Sequence, residues 1–269
     1  MAIQRAAAPP PPAAKKAQPF ALKIGKPPRR NAQRIVLYGP GGIGKTSLAA
    51  LAPGPVAFFD LDESLGVLNA DAQAVEGVGD WAALRAALQA PGWDGVKTVV
   101  VDTGTAAEEW ATDWVLAHVR HEKGHAVSRI EDYGFGKGYT HIYQAWLCLL
   151  ADLDQHVRAG RNVVLVCHDC TANVPNPEGD DYIRYEPRLQ SPASGKSSIR
   201  HRTREWADHL LFLGYDIVAE DRKAKGNGTR TIYPIELPHC MAKSRTLADP
   251  VPYDLGDDAI WRQIFKEEA

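Results

Sequence analysis

The sequence predicts an α/β protein with a mostly parallel central sheet, which antiparallel strands extend towards the C-terminal end. Short apolar runs alternate with helical segments between residues 34 and 168. Runs that are apolar at nearly every position are typical of parallel strands buried on both faces. After residue 168, strand-like runs follow one another and are joined by turns rich in glycine, serine and lysine, which indicates antiparallel pairing.

Four apolar runs predict the parallel strands, and the segments between them predict helices that cover the sheet. The last helix has apolar residues at helical spacing from Ile142 to Val157, so one face is expected to pack on the sheet. The predicted strands are RIVLYG (34–39), PVAFFD (55–60), KTVVVD (97–102) and RNVVLVCH (161–168). The predicted helices are 45–52, 80–90, 104–122 and 139–159.

The C-terminal part of the chain predicts three further strands and a closing helix. Asp257 and Asp258 suit the positive N-terminal end of that helix. The strands are predicted at 181–189, 206–216 and 229–237, and the helix at 257–268.

Composition divides the chain into two parts. Residues 1–30 are rich in alanine, proline and lysine, and the prolines at 9–12 prevent a helix. A disordered segment is therefore predicted there, with the apolar stretch 19–25 as a candidate docking strand. Residues 31–269 are predicted to form one domain, because a chain of 269 residues that is 45% hydrophobic can build one sizeable core.

Charge and composition argue against several classes of protein. The net charge of −2 disfavours a uniformly basic nucleic-acid binder, although local basic patches remain open. No apolar run approaches the roughly 20 residues of a membrane span, and the N-terminus lacks the apolar core of a signal peptide. The four cysteines do not resemble a secreted disulfide framework. We therefore expect a cytoplasmic protein with no membrane partner.

The segment GPGGIGKT, from Gly39 to Thr46, has the pattern of a phosphate-binding P-loop. Its glycines allow a tight turn with inward-pointing amide groups, and the helix that follows adds its positive end. Lys45 is expected to reach the β- and γ-phosphates and so to take part in catalysis. The predicted nucleotide contacts are Gly39, Pro40, Gly41, Gly42, Ile43, Gly44, Lys45, Thr46 and Ser47.

Carboxylates follow two of the predicted strands. Asp102 ends the run KTVVVD and is expected, together with the Thr46 hydroxyl, to hold Mg²⁺, as a Walker-B aspartate does. Asp62 and Glu63 follow the run PVAFFD and are candidates to orient or deprotonate the attacking water, with Asp60 less favoured. The alternative for these acidic residues is an ordinary polar loop at the sheet edge.

His168 ends the fourth predicted strand, where it is expected to face the ligand crevice. A polar side chain there can sense the γ-phosphate and relay its presence to the following loop. A hydrogen-bonded histidine at a strand end is the alternative.

Several P-loop classes do not match. GTPases share an Asn-Lys-x-Asp motif that is absent from this sequence, and ParA-like ATPases have a lysine where this chain has Pro40. Small-molecule kinases usually have an arginine-rich helical lid, whereas the second half of this chain is rich in predicted strands. A metabolic kinase is therefore the least favoured alternative.

The order of motifs resembles the RecA/RadA superfamily, and within it the phage-encoded, Sak-four-type ATPases that anneal single-stranded DNA. The resemblance covers roughly residues 19–250 and includes LYGPGGIGKTSLA, FFDLDES, TVVVDT, DYGFGKGY, VVLVCHD, RYEPRL, WADHLLFL and AKSR. It implies a RecA-like core in residues 31–269, ATP and Mg²⁺ as cofactors, DNA-dependent ATP hydrolysis, and a ring or filament of identical subunits. It also implies single-stranded DNA as a partner, allows a single-strand-binding protein as another, and places the protein in the host cytoplasm if a phage encodes it.

The chain departs from the family at two catalytic positions. Asp62 stands where the usual residue is glutamate, and its shorter side chain leaves slow hydrolysis open. The polar sensor is His168 rather than the glutamine of RecA. The alternative function is a P-loop switch that acts on a protein partner in phage replication or packaging, and in that case the basic loops of the chain are incidental.

Two loops combine basic and aromatic residues, the mixture used to bind single strands without sequence preference. The first is 132–139 and the second runs from 169 to about 204; a solvated or flexible loop is the alternative in each case. The candidate DNA contacts are Tyr133, Phe135, Lys137, Tyr139, Arg184, Arg188, Lys196, Arg200 and Arg202.

The motif AKSR at 242–245 resembles the basic elements that RecA-like subunits project into a neighbour's ATP site. By that resemblance, Lys243 and Arg245 would neutralise γ-phosphate charge in trans. A charged strand end on the surface is the alternative.

Overall fold

The computed structural model describes residues 22, 24–26, 30–68, 72–193, 195–220 and 223–265. The predicted disordered segment 1–30 and its docking strand at 19–25 lie mostly outside the described residues. So do the last residues of the predicted closing helix.

The described chain alternates strands and helices as far as β5 and then becomes richer in strands. The strands are β1 (Arg34–Gly39), β2 (Val56–Asp60), β3 (Gln73–Ala74), β4 (Thr98–Asp102), β5 (Asn162–Val174), β6 (Tyr182–Pro187), β7 (His209–Glu220), β8 (Lys223–Tyr233) and β9 (Val251–Pro252). The α-helices are α1 (Lys45–Ala50), α2 (Trp81–Gln89), α3 (Gly104–His118), α4 (Lys137–Arg158), α5 (Ile199–Trp206) and α6 (Ala259–Ile264). Short 3₁₀ turns occupy Leu65–Val67 and Ile130–Tyr133.

All nine strands form one sheet in the described residues, in the order β3-β2-β4-β5-β1-β7-β8-β9, with β6 paired to the far end of β5. The strands from β3 to β7 in this order pair in parallel, whereas β8, β9 and β6 pair antiparallel. The predicted fold class, a mostly parallel α/β core extended by antiparallel strands, is confirmed.

The sheet brings the predicted functional segments together at one edge. In the register of the strands, Gly39 lies opposite His168, and Asp60 lies opposite Asp102. The carboxyl ends of parallel strands meet on the same side, which is where open α/β sheets bind their ligands. The P-loop, the acidic turn after β2 and the end of β4 therefore share one crevice edge.

Helices cover both faces of the sheet. On one face α2, α3, α4 and α5 bury a large apolar core that includes Trp146, whose indole N–H donates to Thr203 Oγ1 at 2.9 Å and joins α4 to α5. On the other face α1 and α6 pack over a second core, around Leu37, Val164 and Trp261.

Helix α5 was not predicted, because its sequence is dense in charge. Ser198 caps its N-terminus by accepting a hydrogen bond from the His201 amide at 3.1 Å. Ile199, Thr203 and Trp206 lie at helical spacing and are buried, while the charged residues between them face outward or form ion pairs.

The strands after α4 also differ from the prediction. Strand β5 continues past His168 to Val174 and forms a hairpin with β6. The predicted strand 206–216 is β7, which pairs in parallel with β1 because α5 provides a crossover. It then pairs antiparallel with β8, which begins earlier than predicted.

We call residues 251–264 the C-terminal strap, because they lie against the P-loop helix α1. The Tyr253 hydroxyl donates to the carbonyl of Gly44 at 3.0 Å, and the Trp261 indole donates to the carbonyl of Leu48 at 2.8 Å. The strap therefore holds both ends of α1.

Candidate nucleotide-binding and catalytic site

The P-loop connects β1 to α1 in a conformation that only glycine adopts easily at two positions. Gly42 and Gly44 have φ angles of 74° and 105°. A Cβ atom on Gly44 would lie 2.5 Å from Leu255 Cδ2, and one on Gly39 would lie 2.3 Å from the Leu213 carbonyl oxygen. The loop is thus shaped by backbone freedom and by close packing, and fully buried Ile43 anchors it to the core.

Lys45 lies at the start of α1 and is buried. Its Nζ donates to the carbonyls of Gly39 and Pro40, at 2.8 and 2.9 Å, and so folds back over its own loop. Burial lowers the pKa of Lys45, while the carboxylates of Asp102, Asp169 and Asp62 oppose that shift. An ammonium group held among carboxylates at the edge of a glycine loop is suited to a bound polyphosphate.

The residues present fit a magnesium ion. Thr46 Oγ1 donates to Asp102 Oδ2 at 2.6 Å, so the hydroxyl and the carboxylate that would hold the ion already lie side by side. Burial, together with the charges of Asp62 and Asp60, raises the pKa of Asp102 to about 6. Mg²⁺ held by one carboxylate commonly takes its remaining ligands from phosphate and water. When bound, Mg²⁺ would neutralise phosphate charge.

The acidic turn after β2 separates its carboxylates into different environments. Asp60 accepts hydrogen bonds from the amides of Ser64 and Leu65, both at 2.9 Å, and so caps the 3₁₀ turn. Asp62 is exposed, and its charge raises the pKa of both Lys45 and Asp102. Glu63 is exposed with φ 53°, and no ion pair or hydrogen bond engages its side chain within the described ranges.

His168 and Asp62 meet at this edge. His168 Nε2 lies 3.3 Å from Asp62 Oδ2, although 106 residues separate them in the chain. The backbone of His168 is tied down on both sides, because its amide donates to Thr105 Oγ1 at 3.1 Å and its carbonyl accepts from the Arg188 amide at 2.9 Å. A polar side chain at this edge of the sheet is therefore joined to the segment that follows β6.

Sequence reasoning missed three residues of this region. Asp169 follows His168, and its charge raises the pKa of Lys45. Thr105 and Glu108, one turn apart on α3, bind the main chain of residues 188–190. Asp169 could have been found in the motif VVLVCHD, but the partners of Thr105 and Glu108 lie more than 60 positions away.

Three of the candidate DNA contacts have internal roles, which corrects the expectation that they face a ligand. Tyr133 is buried, and its hydroxyl donates to the carbonyls of Val115 and Val119. Arg184 is 8% exposed and pairs with Glu186 and Glu236. Arg200 is 13% exposed, pairs with Glu186 and donates to the Leu189 carbonyl.

The other candidate contacts lie on or near the surface. Lys137 pairs with exposed Glu122, and the Tyr139 hydroxyl donates to Glu131. Arg202 pairs with exposed Glu205. Arg188, Lys196 and Phe135 are exposed.

Lys243 and Arg245 occupy different positions from those expected. Lys243 Nζ donates to the carbonyls of Arg204, Glu205 and Ala207 and so caps the C-terminus of α5, which corrects the expectation that it is free to act in trans. Arg245 pairs with Asp208 but remains 61% exposed. It lies at the amino edge of the sheet, opposite the P-loop, because Asp208 also accepts from the amide of Arg34 at the start of β1.

Comparisons with family models and with solved structures find similar proteins. Residues 31–246 match the family model AAA_24, described as an AAA domain. A KaiC-like protein from the hyperthermophilic archaeon Pyrococcus horikoshii OT3 is 14% identical with a TM-score of 0.43, covering 84% of this chain and 87% of that chain. The flagellar accessory protein FlaH from Methanocaldococcus jannaschii is 10% identical with a TM-score of 0.35, covering 74% and 76%. At such TM-scores neither likeness supports an inference about function.

No curated protein matches the sequence. Within the described ranges, none of the helices combines the length and apolar character that a bilayer span requires. The family match covers well over half of the chain and includes the P-loop, the acidic turn, Asp102 and His168. The chain therefore belongs to the AAA_24 family of AAA domains and is a P-loop ATPase.

Proposed function

We propose that this ATPase binds single-stranded DNA and couples ATP hydrolysis to DNA binding and to assembly of a homo-oligomer, as a phage-type annealing recombinase does. One observation supports it above the others: the two basic–aromatic loops of the sequence meet. Gln190 Nε2 donates to the carbonyl of Tyr139 in the first loop and to that of Ser197 in the second, at 3.1 and 3.0 Å. The loops thus meet close to Arg188, whose amide is hydrogen-bonded to His168 at the catalytic edge.

Phe135 is the aromatic contact that this surface offers. Gly134, Phe135 and Gly136 have φ angles of 69°, 51° and 72°, so three successive left-handed residues place the ring outside the fold. The Phe135 side chain is fully exposed and buries no apolar surface in the core. A ring in this position can stack on a nucleic-acid base without sequence preference.

Three cations accompany the ring. Arg188 and Lys196 are exposed, and no carboxylate among the described residues pairs with either. The pair between Arg202 and Glu205 joins two exposed side chains and is weak enough to exchange for another anion. These side chains would bind backbone phosphates and make the affinity dependent on salt.

At the nucleotide site the proposal gives each side chain one task. Lys45 and the P-loop amides hold the phosphates, and Asp102 with Thr46 holds the ion. Asp62 orients and deprotonates the attacking water, while His168, 3.3 Å from Asp62, responds to the γ-phosphate.

Fluorescence anisotropy with a labelled oligonucleotide tests the proposal, with and without ATP and Mg²⁺. We expect binding that tightens with ATP, that weakens about fivefold or more in Phe135→Ala, and whose salt slope falls by about 0.7 in Lys196→Ala. Arg158→Ala is the matched control, because Arg158 is an exposed cation at the opposite end of α4. A wild-type protein that binds no single strand in either nucleotide state contradicts the proposal.

A switch that acts on a protein partner is the second candidate, and exposed apolar residues favour it. Ile183 on β6 is 70% exposed, and Tyr185 beside it is partly exposed. Such a pair on a hairpin can dock against a protein. An Ile183→Ser variant that keeps DNA binding unchanged while a protein partner is lost would support this second function.

A further inference from the structure

A short series of hydrogen bonds runs from the catalytic edge to the two loops. It begins at Asp62, continues through His168 to the backbone of Arg188, and reaches Gln190 two residues later. Thr105 Oγ1 donates to the Arg188 carbonyl at 3.3 Å and fixes the middle of this path. The whole path involves side chains and backbone groups that touch directly, without a gap to be filled by solvent.

Gln190 is the residue at which the path divides. Its side-chain amide donates to Tyr139 in the first turn of α4 and to Ser197 beside Lys196. Both acceptors are carbonyl oxygens, so the orientation of the amide group is determined by its surroundings. Thr140 Oγ1 and Ser197 Oγ, 3.1 Å apart, add a direct bond between the two loops.

Glu108 fixes the main chain of Gln190. Both oxygens of the Glu108 carboxyl accept from the Gln190 amide, at 2.9 and 3.0 Å, and the Gln190 carbonyl accepts from the Arg200 amide at 3.2 Å. Burial raises the pKa of Glu108 to about 7, although the Gln190 amide and Arg200 lower it. The backbone of Gln190 is thus held by α3, which starts directly after Asp102.

We propose that Gln190 is a positioning residue that transmits the nucleotide state from His168 to both loops. A shift at His168 moves the backbone at 188–190, and the side-chain amide of Gln190 then moves the carbonyls of Tyr139 and Ser197 together. Phe135 and Lys196, which lie within four residues of those carbonyls, change position as one unit. The idea that the loops bind DNA rests on the proposed function, but the coupling itself requires no DNA.

Hydrogen exchange tests the coupling in the absence of DNA. The amides of segments 134–138 and 195–198 are compared with and without a non-hydrolysable ATP analogue and Mg²⁺, and the P-loop amides at 41–46 report nucleotide binding. In wild type we expect protection in both segments to change by about threefold or more. In Gln190→Met, which keeps the length of the side chain but lacks the two donors, we expect the P-loop to be protected and both segments to stop responding.

Two further variants make the test specific. Gln190→Glu is isosteric but places oxygens against both carbonyls, so it should lose the response as Gln190→Met does. Gln144→Met is the control, because Gln144 is exposed on α4 and should respond as wild type does.

The proposal is overturned if both segments still respond in Gln190→Met, or if neither responds in wild type while the P-loop is protected. Failure to bind DNA would refute the proposed function and leave this experiment unaffected.

Discussion

Asp62 and Glu63 are adjacent in the chain, but their carboxylates have different neighbours. Asp62 lies 3.3 Å from His168 and acts on Lys45, whereas Glu63 faces solvent. We expect Asp62→Asn to lower kcat by about 10²–10⁴ with little change in nucleotide affinity, because general-base catalysis contributes that much. Glu63→Gln should stay within about twofold of wild type. Steady-state ATP hydrolysis measures both variants. A larger loss of kcat in Glu63→Gln than in Asp62→Asn would assign the attacking water to Glu63 instead.

Gly44 and Gly41 lie in the same loop but differ in the space around them. A Cβ on Gly44 would collide with Leu255 and Tyr253 at φ 105°, while one on Gly41 meets nothing within 4 Å. We expect Gly44→Ala to lower the free energy of unfolding by about 1–2 kcal/mol or more, from backbone strain alone. Denaturant unfolding without nucleotide measures this, with Gly41→Ala as the control. Equal losses in both variants would contradict the packing explanation.

The raised pKa of Glu108 predicts that the stability of the fold depends on pH. Its carboxyl has a pKa of about 7 in the fold against an ordinary value of 4.5, so the folded state binds more protons than the unfolded chain between these values. Stability therefore falls as pH rises through this window. Arg200 and Glu109 are the ionisable groups that act on it, and only Arg200 favours the charged form.

Glu108→Gln removes that titration. We expect the melting temperature of wild type to fall relative to the variant between pH 5 and pH 8, with a free-energy difference of up to about 3 kcal/mol. Thermal unfolding at several pH values measures this. Parallel pH profiles for the two proteins would show that Glu108 does not titrate in this range.

The meeting of Lys45, Thr46 and Asp102 was predictable from the motifs that contain them, while their roles stay predictions. Their positions in the sequence determine that they meet, because strand ends share one edge of a parallel sheet. Arg184, Arg200 and Lys243 could not be assigned this way. Their partners lie on other elements, so the sequence shows three cations but not which are already paired.

Helix α5 is joined to β6 by a buried network of ion pairs. Glu186 is 4% exposed and binds Arg184 and Arg200, while Glu236 binds Arg184 and Arg204. We expect Glu186→Gln to lower the free energy of unfolding by about 3–5 kcal/mol, because it leaves two cations without their buried partner. Urea unfolding measures this, and Glu205→Gln at an exposed site is the matched control. A loss of unfolding free energy below about 1 kcal/mol would show that water hydrates the two arginines in the variant.

At the scale of elements, the sequence predicted what depends on apolar pattern alone. Strands β1, β2 and β4 lie within one residue of their predicted bounds, because each is an apolar run buried on both faces. Helix α5 was not predicted because only three buried residues mark its inner face among five charged or histidine positions. The parallel pairing of β7 depends on that same helix and was missed with it.

The whole molecule has its nucleotide site and Arg245 at opposite edges of the sheet. In the proposed homo-oligomer, a head-to-tail arrangement would bring Arg245 of one subunit towards the P-loop of the next. We expect Arg245→Ala and Asp62→Asn to be inactive alone, and a mixture of the two to recover activity at about a quarter of its interfaces. An equimolar ATPase assay measures this recovery, and Arg262→Ala, at an exposed residue of α6, is the charge control. If the mixture is no more active than each variant alone, Arg245 does not act at the ATP site of the neighbouring subunit.

The strap also changes where a shortened protein can end. The family match stops at residue 246, yet Tyr253 and Trp261 hold the two ends of α1 from beyond that point. A chain cut after residue 246 would keep every motif of the family and still expose the apolar side of α1, including Leu48. Such a fragment would be expected to lose solubility as well as nucleotide affinity, so the smallest unit worth expressing extends at least to Ile264.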